Sequence, residues 1–277
     1  MQQLTRNVYA ETTFHGANLG CIVTGEGLVL IDAPPNPTNA VKWQKEVNSK
    51  GEVKYLINTE AHEDHIIGAF FFPVPVISHE KTREEIIATS TKELLDIVAA
   101  IDPAGLPLVK DFKKNVPTIT FSEALTLYMG KHTFQLIYLP GHTPGQTAVL
   151  IPEEKVLFTG DNITNKMQNF LHSANPIFWL ESLKKIEELE FEHLVPGHGP
   201  VCDKSVIAEQ YRYIERCIET IKKAIDGGMT REEALEKVSL PERFPLPDEL
   251  KYFGPIMLKQ SVGRLYDALS QRSVSLW

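Results

Sequence analysis

Asn58-Thr59-Glu60-Ala61-His62-Glu63-Asp64-His65 follows directly on the apolar run Tyr55-Leu56-Ile57. Four side chains of metal-binding type, Glu60, His62, Asp64 and His65, fall within six residues. In a short loop alternate side chains point the same way, so positions 60 and 62 can serve one ion while 64 and 65 serve a neighbour. A single histidine at a strand end is ordinarily a satisfied polar residue, and a single aspartate after glycine is ordinarily a turn residue. A dense cluster has fewer such explanations.

Three later segments share one layout, an apolar strand followed by a tight glycine-containing turn that carries one polar ligand. They are Leu139-Pro140-Gly141-His142, Phe158-Thr159-Gly160-Asp161 and Val195-Pro196-Gly197-His198-Gly199. Glycine lets the backbone bend sharply at the strand end without Cβ strain. Ligands from separate strand ends can then converge on one cleft, and the four segments together read as a metal site.

Around these motifs the chain alternates strands and helices. Leu19–Thr24 and Leu28–Asp32 read as a hairpin across Gly25-Glu26-Gly27, and Lys54–Asn58 as a buried strand. Thr38 to about Asn48 and Lys81–Ile101 read as helices. Further strands are expected at Leu125–Met129, Phe134–Leu139, Thr147–Ile151, Lys155–Thr159 and His193–Val195, with a helix over Phe178–Glu190. From Lys204 the pattern turns helical, over Ser205–Ile225, Arg231–Val238 and roughly Ile256–Leu269, with Gly227-Gly228 closing the first and Thr230 with Glu233 forming a capping box on the second. Two α/β halves packed as a sheet sandwich with helices outside, plus a helical tail, account for this order.

Glu60-x-His62-x-Asp64-His65, Gly141-His142, Gly160-Asp161 and Gly197-His198-Gly199 resemble the motif series of the metallo-β-lactamase superfamily over about residues 7–200. The resemblance implies an αββα sandwich with a dinuclear metal site at one edge of the two sheets. It makes residues 1–203 the catalytic domain and 204–277 a C-terminal helical extension of the kind found among small-molecule hydrolases, with no inserted nucleic-acid-processing domain. Carried over residue by residue, one ion takes Glu60, His62 and His142, the second takes Asp64, His65 and His198, and Asp161 bridges them. The sequence departs from the family at Glu60, where the first ligand of the cluster is usually histidine. The extra carboxylate makes the site less positive and more tolerant of iron or manganese; two zinc ions are the first expectation.

The function so implied is hydrolysis of a small-molecule ester, thioester, lactone or lactam by a metal-bridging hydroxide that Asp64 orients. A β-lactamase proper and a mononuclear iron persulfide dioxygenase on the same fold are the alternatives. The second-metal set Asp64, His65 and His198 argues against the dioxygenase. His15 and His172 are candidates to touch substrate. Met167, Phe178 and Trp179 are candidates for a lid or pocket, whereas Phe70-Phe71-Phe72 fits core better. His79, His132 and His193 read as structural or solvated, and Cys21 and Cys217 as core.

Composition narrows the classes. The 277 residues carry 28 Lys+Arg against 36 Asp+Glu, a net charge of −8 that argues against phosphate-driven nucleic-acid binding. No run approaches the roughly 20 apolar residues of a membrane span, and Met1–Gly20 shows no secretory signal pattern. Three widely spaced cysteines are no disulfide framework, so a cytoplasmic location is expected. The helical tail is a candidate homodimer surface.

Overall fold

Alternating apolar side chains send β3 (Leu19–Thr24) and β4 (Gly27–Ile31) in two directions at once. Ile22, Val29 and Ile31 face one core, while Leu19, Cys21, Leu28 and Leu30 face another. A sheet apolar on both faces must be covered on both. The computed structural model, which describes residues 1–246, 251 and 253–270, shows how this is met.

The first sheet has seven strands in sequential order. They are β1 (Gln2–Gln3), β2 (Val8–Glu11), β3, β4, β5 (Val53–Ile57), β6 (Val76–His79) and β7 (Ile119–Phe121). Pairing is antiparallel through β4 and parallel from β4 to β7. The second sheet runs β12-β11-β10-β9-β8. Its strands are β8 (Ala124–Met129), β9 (His132–Tyr138), β10 (Thr147–Ile151), β11 (Val156–Phe158) and β12 (His193–Val195), antiparallel except for the β11–β12 pair. Val8, Ile22, Ile31, Ile57 and Ile77 of the first sheet pack against Phe134, Leu136, Val149, Phe158 and Val195 of the second.

Helices cover the outer faces. On the first sheet α1 (Pro37–Asn48) buries Trp43 and Val47 against Leu30 and Leu56. On the second, α5 (Pro176–Glu188), α6 (Ser205–Asp226) and α8 (Gly254–Leu269) bury Trp179, Leu183, Tyr213, Ile221 and Leu265. The short α7 (Arg231–Lys237) starts on the expected capping box of Thr230 and Glu233. The architecture is the αββα sandwich with a helical C-terminal part. The predicted extension lies outside the described residues at 247–250, 252 and beyond 270.

Expected helix 81–101 is two helices, α3 (Glu80–Ala88) and α4 (Thr91–Ile101). Ser90 caps α4 by accepting from Glu93 N–H, and the Lys114 ammonium donates to the carbonyls of Ile86, Ile87 and Thr89 at the end of α3. Trp179 is core rather than lid: it is fully buried and its indole donates to the Asn162 carbonyl. Phe72 is core, and Phe70 and Phe71 pack partly buried beside it. Among the described residues no helix is long and apolar enough to cross a membrane. All three cysteines are free, with Cys21 and Cys217 buried.

One cross-link ties the tail to the sandwich. The Arg243 guanidinium donates to Thr164, Asn169, Gln210 and Glu209, and the Gln168 side chain accepts from the Arg243 and Phe244 backbone N–H groups.

Candidate metal centre

Every motif residue sits just past the C-terminal end of a strand, and those ends lie at one edge of the sandwich. Glu60 and His62 follow β5. Asp64 and His65 lie in the single-turn α2 (Glu63–Ile66), for which His62 is the residue before the first turn. His142 follows β9, Asp161 lies in a tight turn after β11, and His198 follows β12. Backbone bonds hold the ends together: Thr147 N–H donates to the Thr59 carbonyl at 2.8 Å, and Gly197 N–H to the Gly160 carbonyl at 2.9 Å. Asn18 clasps the His198 turn through its side-chain donations to Pro196 and Gly199 carbonyls.

Two of the turn glycines are required by space. Gly160 has φ +51°, and a Cβ there would overlap Gln146. A Cβ on Gly197 would overlap the Asp161 carboxylate itself. The glycines that flagged the motifs in the sequence therefore let ligand-bearing turns touch.

The seven side chains converge. Single ligand atoms of Glu60, His62 and His142 all lie within 4.8 Å of one another, as do those of Asp64, His65 and His198, and those of Glu60, His65 and Asp161. His62 Nδ1 is 2.7 Å from Glu60 Oε2 and 3.2 Å from His142 Nε2. His198 Nε2 is 3.1 Å from Asp64 Oδ2 and 3.2 Å from Asp161 Oδ2. His65 Nε2 is 3.3 Å from Asp161 Oδ1 and 3.7 Å from Glu60 Oε1. Asp161 thus reaches toward both trios.

These residues fit a pair of cations. Glu60 is 0% exposed; no hydrogen bond reaches its Oε1, and its Oε2 faces the imidazole of His62 at 2.7 Å. His65 Nε2 and Asp161 Oδ1 are likewise buried without one. A buried carboxylate faced by so few donors is costly unless a cation compensates it. Three carboxylates also nearly balance two divalent ions in charge.

The electrostatics of the side chains alone show the same coupling. Burial opposes ionisation of Asp161, yet the His198 and His65 imidazoles hold its carboxyl well below the usual range. Burial pulls His62 down, but the Glu60 carboxylate outweighs it and lifts His62 to about 9. Burial holds the His142 imidazole below the usual histidine range.

A second layer orients the ligands. Asp32, with φ +55°, accepts from His65 Nδ1 at 2.9 Å, from Thr59 Oγ1 at 2.6 Å and from Thr59 N–H at 2.8 Å. Asn162 accepts from His142 N–H, and the buried Trp179 ring lies edge-on to His142 at 5.3 Å. Sequence reading missed Asp32 as a support. Its position at the end of a strand, just before the Ala33-Pro34-Pro35 break, was the available signal. His172 stacks on His62 with ring centroids 5.2 Å apart, so it borders the centre. His15 is exposed, in the loop whose Gly16 faces Asp64 and Pro35. His79 caps α3 and His132 pairs with Glu154, both away from the centre.

Comparison with known proteins agrees with this geometry. The profile of the metallo-beta-lactamase superfamily matches residues 12–198. The beta-lactamase-like protein 2 homolog of Caenorhabditis elegans is 27% identical over 82% of this chain and 66% of its own length. The linear primary-alkylsulfatase of Pseudomonas sp. (strain ATCC 19151) is 24% identical over 87% of this chain and 53% of its own. The chain therefore spans less than two thirds of either relative. Among solved structures, a metallo-beta-lactamase from Pontibacter korlensis superimposes with a TM-score of 0.59 at 24% identity, covering 77% of this chain and 97% of that one.

Proposed function

The chain belongs to the metallo-beta-lactamase superfamily, and from that premise we propose that it is a metal-dependent hydrolase of a small-molecule ester, thioester, lactone or lactam. The observation that carries this is the convergence of seven ligand side chains, three of them carboxylates that face little but the ligand imidazoles. Among similar proteins are one named an alkylsulfatase and one named a metallo-beta-lactamase, so ester-type and lactam-type names both occur among them.

In this reading residues 1–203 form the catalytic unit. Glu60, His62 and His142 hold one cation, Asp64, His65 and His198 hold the other, and Asp161 is shared. Bound there, two divalent ions, zinc in the first instance, would supply Lewis acidity toward the substrate oxygen and a water acidic enough to attack at neutral pH. Asp64, with its side chain 30% exposed, is the ligand nearest to solvent among the carboxylates, and it orients the attacking water and takes its proton. His172, on the open side of His62, borders the bound substrate.

Metal analysis of protein purified without added metal tests this. Two zinc per chain are expected, with turnover of chromogenic esters or lactones. Chelation should abolish turnover and lower the melting temperature, because the uncompensated carboxylates then stay buried. One iron per chain with thiol-dependent oxygen uptake would instead establish the dioxygenase alternative.

A further inference from the structure

A cavity of about 500 Å³ opens beside the metal centre, between His172 and the helices α7 and α8. Its walls include Arg231 on α7 and Lys259, Arg264 and Asp267 on α8, with Ile256 as an apolar flank. Among the described residues three cations and one carboxylate line it, in a chain whose net charge is −8. None of the three cations belongs to the ligand motifs, and all lie beyond the residues that match the family profile.

The cavity meets the centre at His172. His172 lines it and stacks on His62. Arg264 Nε donates to the Ala174 carbonyl at 2.8 Å, two residues along from His172. Glu85 on α3 lies within electrostatic reach of both His62 and Arg264.

Arg231 and Arg264 are held by partners, while Lys259 stands exposed at the mouth of the cavity. Arg231 Nε bonds both oxygens of Asp267, at 2.8 and 2.9 Å. Its guanidinium lies across α8 at Gly263, where a Cβ would come within 2.9 Å of it. Arg264 is partly buried, which works against its charge, while Asp267 and Glu85 oppose that effect. Asp267 is paired with Arg231 and acts on Arg264 at longer range, and the described lining carries more positive than negative charge, a field that favours an anion.

We propose that the substrate carries an anionic group of carboxylate type, remote from the bond that is cut, and that Arg231, Lys259 and Arg264 of the C-terminal helices seat it. This rests on the hydrolase reading and names its substrate class. None of the seven ligand side chains lines the cavity, which borders the centre through His172 stacked on His62, so the anion is seated outside the ligand set. It is not itself a ligand of the metal ions. Lactams and thioesters bearing a distal carboxylate meet this description; neutral lactones and simple alkyl esters do not.

The test uses a matched pair of chromogenic esters, mono-4-nitrophenyl glutarate with a distal carboxylate and 4-nitrophenyl valerate without one. Wild-type protein should show kcat/KM about ten-fold higher or more for the glutarate, and Lys259→Glu should lower that ratio about ten-fold. Raising the ionic strength should compress the ratio as well. The ratio is insensitive to lost protein or lost metal, which lower both rates together. A ratio near one in the wild type, or a ratio that survives Lys259→Glu, overturns the proposal while leaving the hydrolase reading intact. If neither ester turns over, the hydrolase reading fails, and equilibrium binding of 4-phenylbutyrate against 4-phenylbutyramide decides the rest. Tighter binding of the anion that is lost in Lys259→Glu supports the seat, and equal binding overturns it.

Discussion

Asp161→Asn should cost on the order of a thousand-fold in kcat/KM and reduce the bound metal to one ion per chain or fewer. The side chain sits at the junction of the two trios, 3.3 Å from His65 Nε2, 3.2 Å from His198 Nε2 and 3.6 Å from His142 Nε2. Asparagine keeps its volume and removes its charge, so packing against Gly197 is preserved and only the charge balance changes. An amide also offers a hydrogen-bond donor where the surrounding groups need an acceptor. Elemental analysis and steady-state kinetics check the two halves of the expectation separately. A variant with full metal content and full turnover would remove Asp161 from the centre.

The second large effect is expected one layer out. Asp32→Asn should weaken metal binding or activity by about 10–100-fold. The Asp32 carboxylate accepts the His65 Nδ1–H at 2.9 Å, which leaves Nε2 as the lone-pair nitrogen turned toward Asp161. An asparagine that keeps its oxygen on Thr59 N–H presents its amide hydrogens to Nδ1. The imidazole then exchanges tautomer and carries its proton on Nε2, the wrong nitrogen for a ligand. Asparagine also tolerates the positive φ at this position, so the backbone is not the cause of the loss. Asp32→Ala additionally strands the buried Thr59 donors, at about 1–3 kcal/mol of stability. Titration with zinc, read by competition with a chromophoric chelator, should show Asp32→Asn weaker at matched folding. Unchanged metal affinity in a folded Asp32→Asn protein would reduce Asp32 to a packing residue.

What the sequence disclosed was what local chemistry dictates. The ligand turns are legible because each needs a strand, a glycine and a ligand in three or four consecutive residues, and Gly197 shows why: any Cβ there would overlap Asp161. The hairpin of β3 and β4 and the helix α6 follow from uninterrupted periodicity. Strands β6 and β7 were not read because Val76–His79 and Ile119–Phe121 hold four and three residues, with prolines nearby and no alternation to count. The break between α3 and α4 was masked by Ile86, Ile87, Leu94, Leu95 and Val98, whose spacing runs through it. Ser90 with Glu93 was the local signal of a second start, but the Lys114 cap on α3 comes from 25 residues beyond Thr89. Asp32 and the cationic cavity share that difficulty. Their partners lie far along the chain, and only the sandwich and its tail bring Asp32 to His65, or Arg264 to the His172 loop.

Arg243 gives the helical tail a meaning that its distance from the ligands conceals. Its guanidinium fastens the stretch from Thr164 to Asn169, which leaves the centre immediately after Asp161, while Gln168 grips its backbone in return. A shortened chain ending at the last family-matched residue would strip that stretch of the Arg243 bonds to Thr164 and Asn169 and of the backbone donors on Gln168. The portion that looks like an accessory is a buttress, and trimming it reshapes the very loop that carries His172.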